Sequence, residues 1–168
     1  LWDFVKKNDS EHLLDLIDEP LSGNPPKIYR GKKLISQDLA HSVLEYYSAT
    51  EAINSKNEVK TIIELGAGYG RTAYVFLKAL PGVRYIVVDV PPALWLAEQY
   101  LTGQFPDKKI FKWRQWNSFK EIEKEFNNSD IIFLLSNQLE LLPPKSADMF
   151  VNISSLHEMR MDQIKYYF

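Results

Sequence analysis

The stretch Thr61-Ile62-Ile63-Glu64-Leu65-Gly66-Ala67-Gly68-Tyr69-Gly70-Arg71 decides the fold. A short apolar run, rich in β-branched residues, ends in an acid. Glycines follow at alternate positions, and a helical pattern begins at Arg71. Downstream a second apolar run, Tyr85-Ile86-Val87-Val88, ends in Asp89. Strand, glycine turn, helix, strand and terminal acid make half of a nucleotide-binding βαβ unit. Glycines let the backbone turn tightly and let a ligand approach where a Cβ would stand. The helix start offers free N–H groups. A carboxylate closing the second strand can accept hydrogen bonds from both hydroxyls of a ribose.

Working outward from this unit, Pro81-Gly82 stop the first helix. Pro91-Pro92 open the next one, which reaches about Leu101 and is ended by Gly103. Residues 109–113 alternate and read as an edge strand. Asn117 or Ser118 caps a charged helix over 118–126 whose Lys and Glu residues face solvent. The continuous apolar runs 131–135 and 149–153 read as buried strands, joined by a loop containing Pro143-Pro144. From Ser154 the pattern turns helical, with Met159, Met161 and Ile164. Upstream, Ser10 caps a helix that buries Leu13, Leu14 and Ile17. Pro20, Gly23, Pro25 and Pro26 break it. Ser36 caps a longer helix with Leu39, Val43, Tyr46 and Tyr47 on one face, fading by Asn54-Ser55-Lys56-Asn57.

Strands alternating with helices predict an α/β fold with a doubly wound, mostly parallel sheet over residues 58–168. An N-terminal helical segment, 1–57, packs on that core. Ligands in such sheets bind at the carboxyl ends of the strands, beside the point where strand order reverses. Four strand-end segments meet that description: 66–70, Asp89, 136–138 and 152–157.

Composition narrows the function. The chain has 168 residues, enough for one domain with a sizeable core. Hydrophobic content of 45% and charged content of 25% are ordinary for a soluble globular protein. A net charge of -2 gives no sign of nucleic-acid binding. Cysteine is absent, which removes disulfides, thiolate catalysis and thiolate metal sites. No apolar run approaches the roughly 18 residues of a membrane span, and Leu1-Trp2-Asp3-Phe4 is not a secretory signal, so the expectation is cytoplasmic. The chain does not begin with Met, and this leads to the expectation of a segment from a longer protein.

The glycine turn leaves a choice of ligand. Started at Gly66, the dinucleotide pattern G-x-G-x-x-G fails, because position 71 is Arg. Started at Gly68, it is met as Gly68-x-Gly70-x-x-Ala73. Glu64 argues against pyrophosphate, which an acid at the strand end repels, and for a ligand with an ammonium or sulfonium group. No Lys-Ser/Thr pair follows the glycines, so a triphosphate site is not expected.

Glu64-x-Gly66-x-Gly68-x-Gly70 resembles the first motif of class I S-adenosylmethionine-dependent methyltransferases, a Rossmann-like fold. Asp89 resembles their ribose-binding acid. Gly-Ala-Gly-Tyr-Gly-Arg, Val-Asp-Val-Pro-Pro-Ala-Leu, Asn-Gln-Leu-Glu-Leu-Leu-Pro and Asn-Ile-Ser-Ser-Leu-His-Glu-Met are similar to the sugar O-methyltransferases in particular. The resemblance spans about residues 59–165. It implies S-adenosylmethionine as cofactor, held by Glu64, Gly66, Ala67, Gly68 and Gly70, by Asp89 and Val90, by Asn137 and Gln138 near adenine, and by Asn152. Many members place an Asp where this chain has Gln138. Their sheet has seven strands, and this sequence reaches only the fourth.

A sugar hydroxyl is a poor nucleophile, and a general base would help by roughly 10²–10⁴-fold. His157, with Glu158 beside it, is the candidate catalytic pair, placed after the fourth strand. Its bland alternative is a structural helix-start histidine. His12 and His41 read as structural. Arg71 either faces the methionine carboxylate or is a surface charge; Tyr69 either flanks the donor or packs on the N-terminal helices. No cluster has metal-ligand spacing. The expected partners are a small-molecule or glycan substrate, with a homo-oligomer possible. Two other functions remain open: a nicotinamide-dependent dehydrogenase, and a methyltransferase-like domain that binds without catalysing.

Overall fold

The computed structural model describes every residue except Ala52, Asn54 and Phe168, and of Asn57 the backbone alone. The chain opens with two short helices, α1 (Trp2–Asn8) and α2 (Leu13–Leu16). Asp9, not Ser10, caps the second. Its carboxylate accepts the N–H groups of Leu13 and Leu14, both at 2.8 Å. Two oxygens on one side chain satisfy two of the free donors of the first turn, which a serine hydroxyl cannot match. Leu13, Leu14 and Ile17 are buried as the pattern implies.

A hairpin follows that the sequence reading does not contain: β1 (Ile28–Arg30) pairs antiparallel with β2 (Lys33–Ile35), Tyr29 opposite Leu34. Its two-residue loop starts with Gly31 at φ +62°, the requirement of a primed hairpin turn. Helix α3 (Gln37–Thr50) starts where expected, with Leu39 N–H donating to Ser36 Oγ at 2.9 Å. Its expected end near Asn54 lies outside the described residues.

The α/β part contains β3 (Thr61–Leu65), α4 (Arg71–Ala79), β4 (Arg84–Asp89), α5 (Pro91–Gln104), β5 (Ile110–Phe111), α6 (Glu123–Asn127), β6 (Ile131–Leu135), β7 (Met149–Val151) and α7 (Met161–Tyr167). Several boundaries differ from the sequence reading; the edge strand expected over 109–113 is only Ile110–Phe111. Helix α5 runs through Gly103, which keeps a helical backbone, and ends where Phe105 N–H bonds Leu101 O. The charged segment is a 3₁₀ turn, Phe119–Glu121, followed by α6; the Ser118 side chain caps nothing. After β7 comes a 3₁₀ turn, Leu156–Glu158, and the helix waits until Met161.

The core sheet has the order β5-β6-β4-β3-β7, and every neighbouring pair is parallel. It is an α/β, Rossmann-like sheet. β3 lies inside it with β4 on one side and β7 on the other, so strand order reverses at β3. Side chains alternate across the sheet. Ile62 faces a core shared with Val5, Leu14, Tyr46, Phe76 and Tyr85, so residues of the N-terminal helices and of α3–α5 join one hydrophobic cluster with this face of the sheet. Ile63 and Leu65 face the other side, where Phe111, Trp116, Ile122 and Phe126 cover them. Strand β7 is shorter and less buried than its apolar run suggests. It is an edge strand, and Phe150 is 43% exposed.

Candidate functional site

The glycine turn sits at the carboxyl end of β3, where the strand order reverses. Gly66 has φ +78° and its N–H donates to Val88 O at 2.8 Å, extending the ladder by one bond. A Cβ at Gly66 would lie 2.2 Å from Cβ and Oγ of Ser155, in the segment after β7. The glycine is needed for that contact. Gly68 has φ +59° and open space where a Cβ would stand. Its N–H donates to Asp89 Oδ2 at 2.7 Å. Ala67 is buried inside the turn, and Gly70 is the N-cap of α4, packed on Leu101.

Asp89 is half-buried at the end of β4. Its second oxygen accepts Val90 N–H at 2.7 Å, and the Val90 side chain is exposed. Both carboxylate oxygens therefore hold backbone donors at the mouth of the turn. A ribose placed there would have to take over those bonds or share them.

Glu64 is 2% exposed, on the α3–α5 side of the sheet. Tyr85 from β4 donates its hydroxyl to Glu64 Oε2 at 2.9 Å. Burial pushes the Glu64 carboxyl from 4.5 up to about 7. The Tyr85 hydrogen bond opposes that rise, Glu45 adds to it, Arg71 opposes it and Asp89 adds to it. The position does not offer the direct ligand contact its sequence place suggests; the acid lies closed off beneath the turn. Arg71 has neither of its expected roles. It donates to Ser42 Oγ and Glu45 Oε1, both at 2.8 Å, and Thr72 donates its hydroxyl to Glu45 Oε2 at 3.0 Å. The start of α4 is thereby tied to α3.

The strand-end amides serve the backbone. Gln138 is buried; its Oε1 accepts Leu135 N–H and its Nε2 donates to Arg114 O, each at 2.9 Å. Each end of its buried amide is already engaged once by the backbone. Asn137 is exposed. Asn152 Nδ2 donates to Leu65 O at 2.8 Å and its Oδ1 accepts Leu156 N–H at 3.2 Å. Ser155 Oγ also donates to Leu65 O, at 3.1 Å. Asn152 and Ser155 together fix the end of β7 against the end of β3. The role of Ser155 is absent from the sequence reading, because nothing in the local sequence announces which side chain will abut Gly66. His157 and Glu158 are exposed, 4.0 Å apart and outside both cavities described next.

A cavity of about 800 Å³ opens beside the turn. Residues of 19–28 and of 35–38 cover it, and Tyr69, Leu96, Gln99 and Tyr100 form its floor. Tyr69 donates its hydroxyl to Asp38 Oδ2 at 3.1 Å and meets Tyr100 edge-on, ring centroids 5.3 Å apart. A second, more open hollow of about 670 Å³ lies between α3 and β7, lined by His41, Glu45 and Asn152 among others. Among the described residues no group of three or more His, Asp or Glu side chains is placed to hold a metal. No described helix is long and apolar enough to cross a membrane.

No protein-family model matches the chain, and no curated protein matches it. Solved structures similar to it include the mitomycin 7-O-methyltransferase MmcR, at 20% identity and TM-score 0.45, covering 77% of this chain and 34% of that one. A protein-L-isoaspartate O-methyltransferase is similar at 15% identity and TM-score 0.47, covering 90% of this chain and 46% of that one. The chain spans about a third of the first and just under half of the second.

Proposed function

We propose that this chain carries the donor-binding part of an S-adenosylmethionine-dependent methyltransferase, working in the cytoplasm on a hydroxyl of a sugar or glycan. One observation carries this. The Asp89 carboxylate reaches Gly68 N–H at 2.7 Å on the open side of a turn that has a buried acid beneath it. A ribose acceptor, a Gly68 N–H that exchange with Asp89 would free, and an acid under the turn suit a cationic nucleoside donor. A pyrophosphate arriving at the same turn would meet the field of Glu64. The sugar acceptor rests on the resemblance of the four motif strings.

S-adenosylmethionine supplies an already activated methyl group, so the residues of this chain have to bind and align. Asp89 would hold the ribose hydroxyls, exchanging Gly68 N–H or Val90 N–H for them. Gly68 admits the ligand because no Cβ fills that side. Glu64, about half ionised near neutral pH, adds attraction for a positive group from below.

Isothermal titration with S-adenosylhomocysteine tests the proposal. Binding at roughly micromolar to sub-millimolar affinity is expected. Binding of NAD in its place would refute it and favour a dehydrogenase, the function carried by Gly68-x-Gly70-x-x-Ala73. Glu64→Gln separates the two ligands, weakening a sulfonium donor and sparing NAD.

A further inference from the structure

The 800 Å³ cavity lies within the range of small-molecule sites, roughly 300–1,000 Å³. It adjoins the donor turn through Tyr69, which stands between Gly68 and Gly70. Ile35 and Leu96 give it apolar walls, and Tyr69 and Tyr100 give it an aromatic corner. The Tyr100 hydroxyl is half-buried and has no hydrogen-bond partner among the described residues, so it is available to a ligand.

The charge of the wall is one-sided. Glu19 and Asp38 line it, and no Lys, Arg or His does. Glu19 accepts the Ser36 hydroxyl on one oxygen, which leaves the other without a partner among the described residues. Asp38 accepts Tyr69 on one oxygen. Arg71, the guanidinium beside this wall, spends its short bonds on Ser42 and Glu45 and meets Asp38 only at its backbone oxygen, at 3.4 Å, which leaves the Asp38 carboxylate without it. Burial raises the Glu19 carboxyl above its ordinary value, with the Ser36 hydrogen bond opposing and Asp38 adding. A nearby cation would relieve Glu19. Tyrosine faces also attract cations.

We propose that this cavity is the acceptor site and that it selects a hydroxylated ring bearing a protonated amine, of amino-sugar size, with Glu19 and Asp38 as the selecting groups. The assignment as acceptor site rests on the methyltransferase proposal; the preference for an amine-bearing ring does not. Anionic sugars are excluded by the same two carboxylates.

The test uses the full chain with glucosamine, glucose and glucuronate as probes, in saturation-transfer NMR and titration, each with and without S-adenosylhomocysteine. Glucosamine is expected to bind about tenfold tighter than glucose, with glucuronate weakest. Glu19→Gln with Asp38→Asn should level glucosamine and glucose while S-adenosylhomocysteine affinity stays unchanged. Should that double variant fail to fold, Leu96→Trp fills the cavity without touching a hydrogen bond and should abolish glucosamine binding alone. Equal binding of the three sugars, no sugar binding, or glucosamine binding that survives Leu96→Trp overturns the proposal. So does competition between glucosamine and S-adenosylhomocysteine, which would make the cavity the donor's. Glucosamine binding without any S-adenosylhomocysteine binding sinks the methyltransferase proposal and leaves the amine preference standing.

Discussion

Replacing Glu64 with Gln should make this protein more stable at alkaline pH and weaken its hold on a cationic donor. The carboxyl titrates at about 7 in the fold, against an ordinary value of 4.5, chiefly because it is buried. The folded state therefore holds this proton more tightly than the unfolded chain. Between pH 4.5 and about 7 the native state binds more protons, so stability falls as pH rises through that window. Each pH unit is worth about 1.4 kcal/mol, and the ionised acid costs the fold about 3 kcal/mol above pH 7. Gln keeps the acceptor for the Tyr85 hydroxyl but brings a buried amide N–H₂, which takes back about 1 kcal/mol. The net gain of about 2 kcal/mol at pH 8 corresponds to a rise in Tm of roughly 4–8 °C for a chain of this size. At pH 5, where Glu64 is protonated, the gain should vanish and Gln should be neutral or slightly worse. Thermal melts of both proteins from pH 5 to pH 9 read this directly. Parallel melting curves at every pH, or a wild type that gains stability as pH rises through 7, would refute the account of a buried acid held against its preference.

Other changes have equally definite outcomes. Gly66→Ala places a Cβ 2.2 Å from Ser155 in a left-handed backbone and should lower stability by about 3 kcal/mol in denaturant melts, with Ser155→Gly restoring only the steric part. Arg71→Met leaves Glu45 and Ser42 without their shared donor at the α3–α4 junction. A loss of about 2 kcal/mol is expected, and no loss of donor affinity beyond it. Asp89→Ala should abolish S-adenosylhomocysteine binding in titration and speed hydrogen exchange at the Gly68 amide, since that N–H loses its acceptor. His157→Ala should leave Tm and donor affinity unchanged, because the side chain is 70% exposed and its nearest ionic neighbour is Glu158 at 4.0 Å.

The sequence displays the parallel core plainly because its signals are local and strong. The runs ending at Glu64-Leu65 and at Asp89 are apolar on both faces, as buried parallel strands must be, and glycines and prolines punctuate them. The hairpin 28–35 escapes notice because three-residue strands carry too little alternation and prolines crowd the preceding segment. Burial of β7 is overstated because a strand's own sequence does not say whether it has one neighbour or two. The amides carry the same ambiguity. Gln138 and Asn152 stand at strand ends, where ligands bind, yet strand ends also leave backbone groups in need of partners. A side-chain amide meets either demand, and only three-dimensional placement tells which one it serves.

The turn is held in shape from three sides: Asp89 on the Gly68 amide, Ser155 against Gly66, and Leu101 behind Gly70. Only the first of these is exchangeable. Ser155 is fixed by Asn152 to the carbonyl of Leu65, and Leu101 is fully buried in the helix layer. A donor entering at Gly68 would therefore find a rigid floor and one movable acid, and it would replace bonds where it would otherwise have to order a loop. That arrangement keeps the conformational penalty of binding small. Under the proposed reading Glu64 can remain buried as well, because a charge beneath a fixed floor would reach a ligand as a field, without contact. The glycines, read first as room for a ligand, turn out to divide that work. Gly66 and Gly70 make room for the protein itself, and Gly68 alone leaves space open at the mouth of the turn.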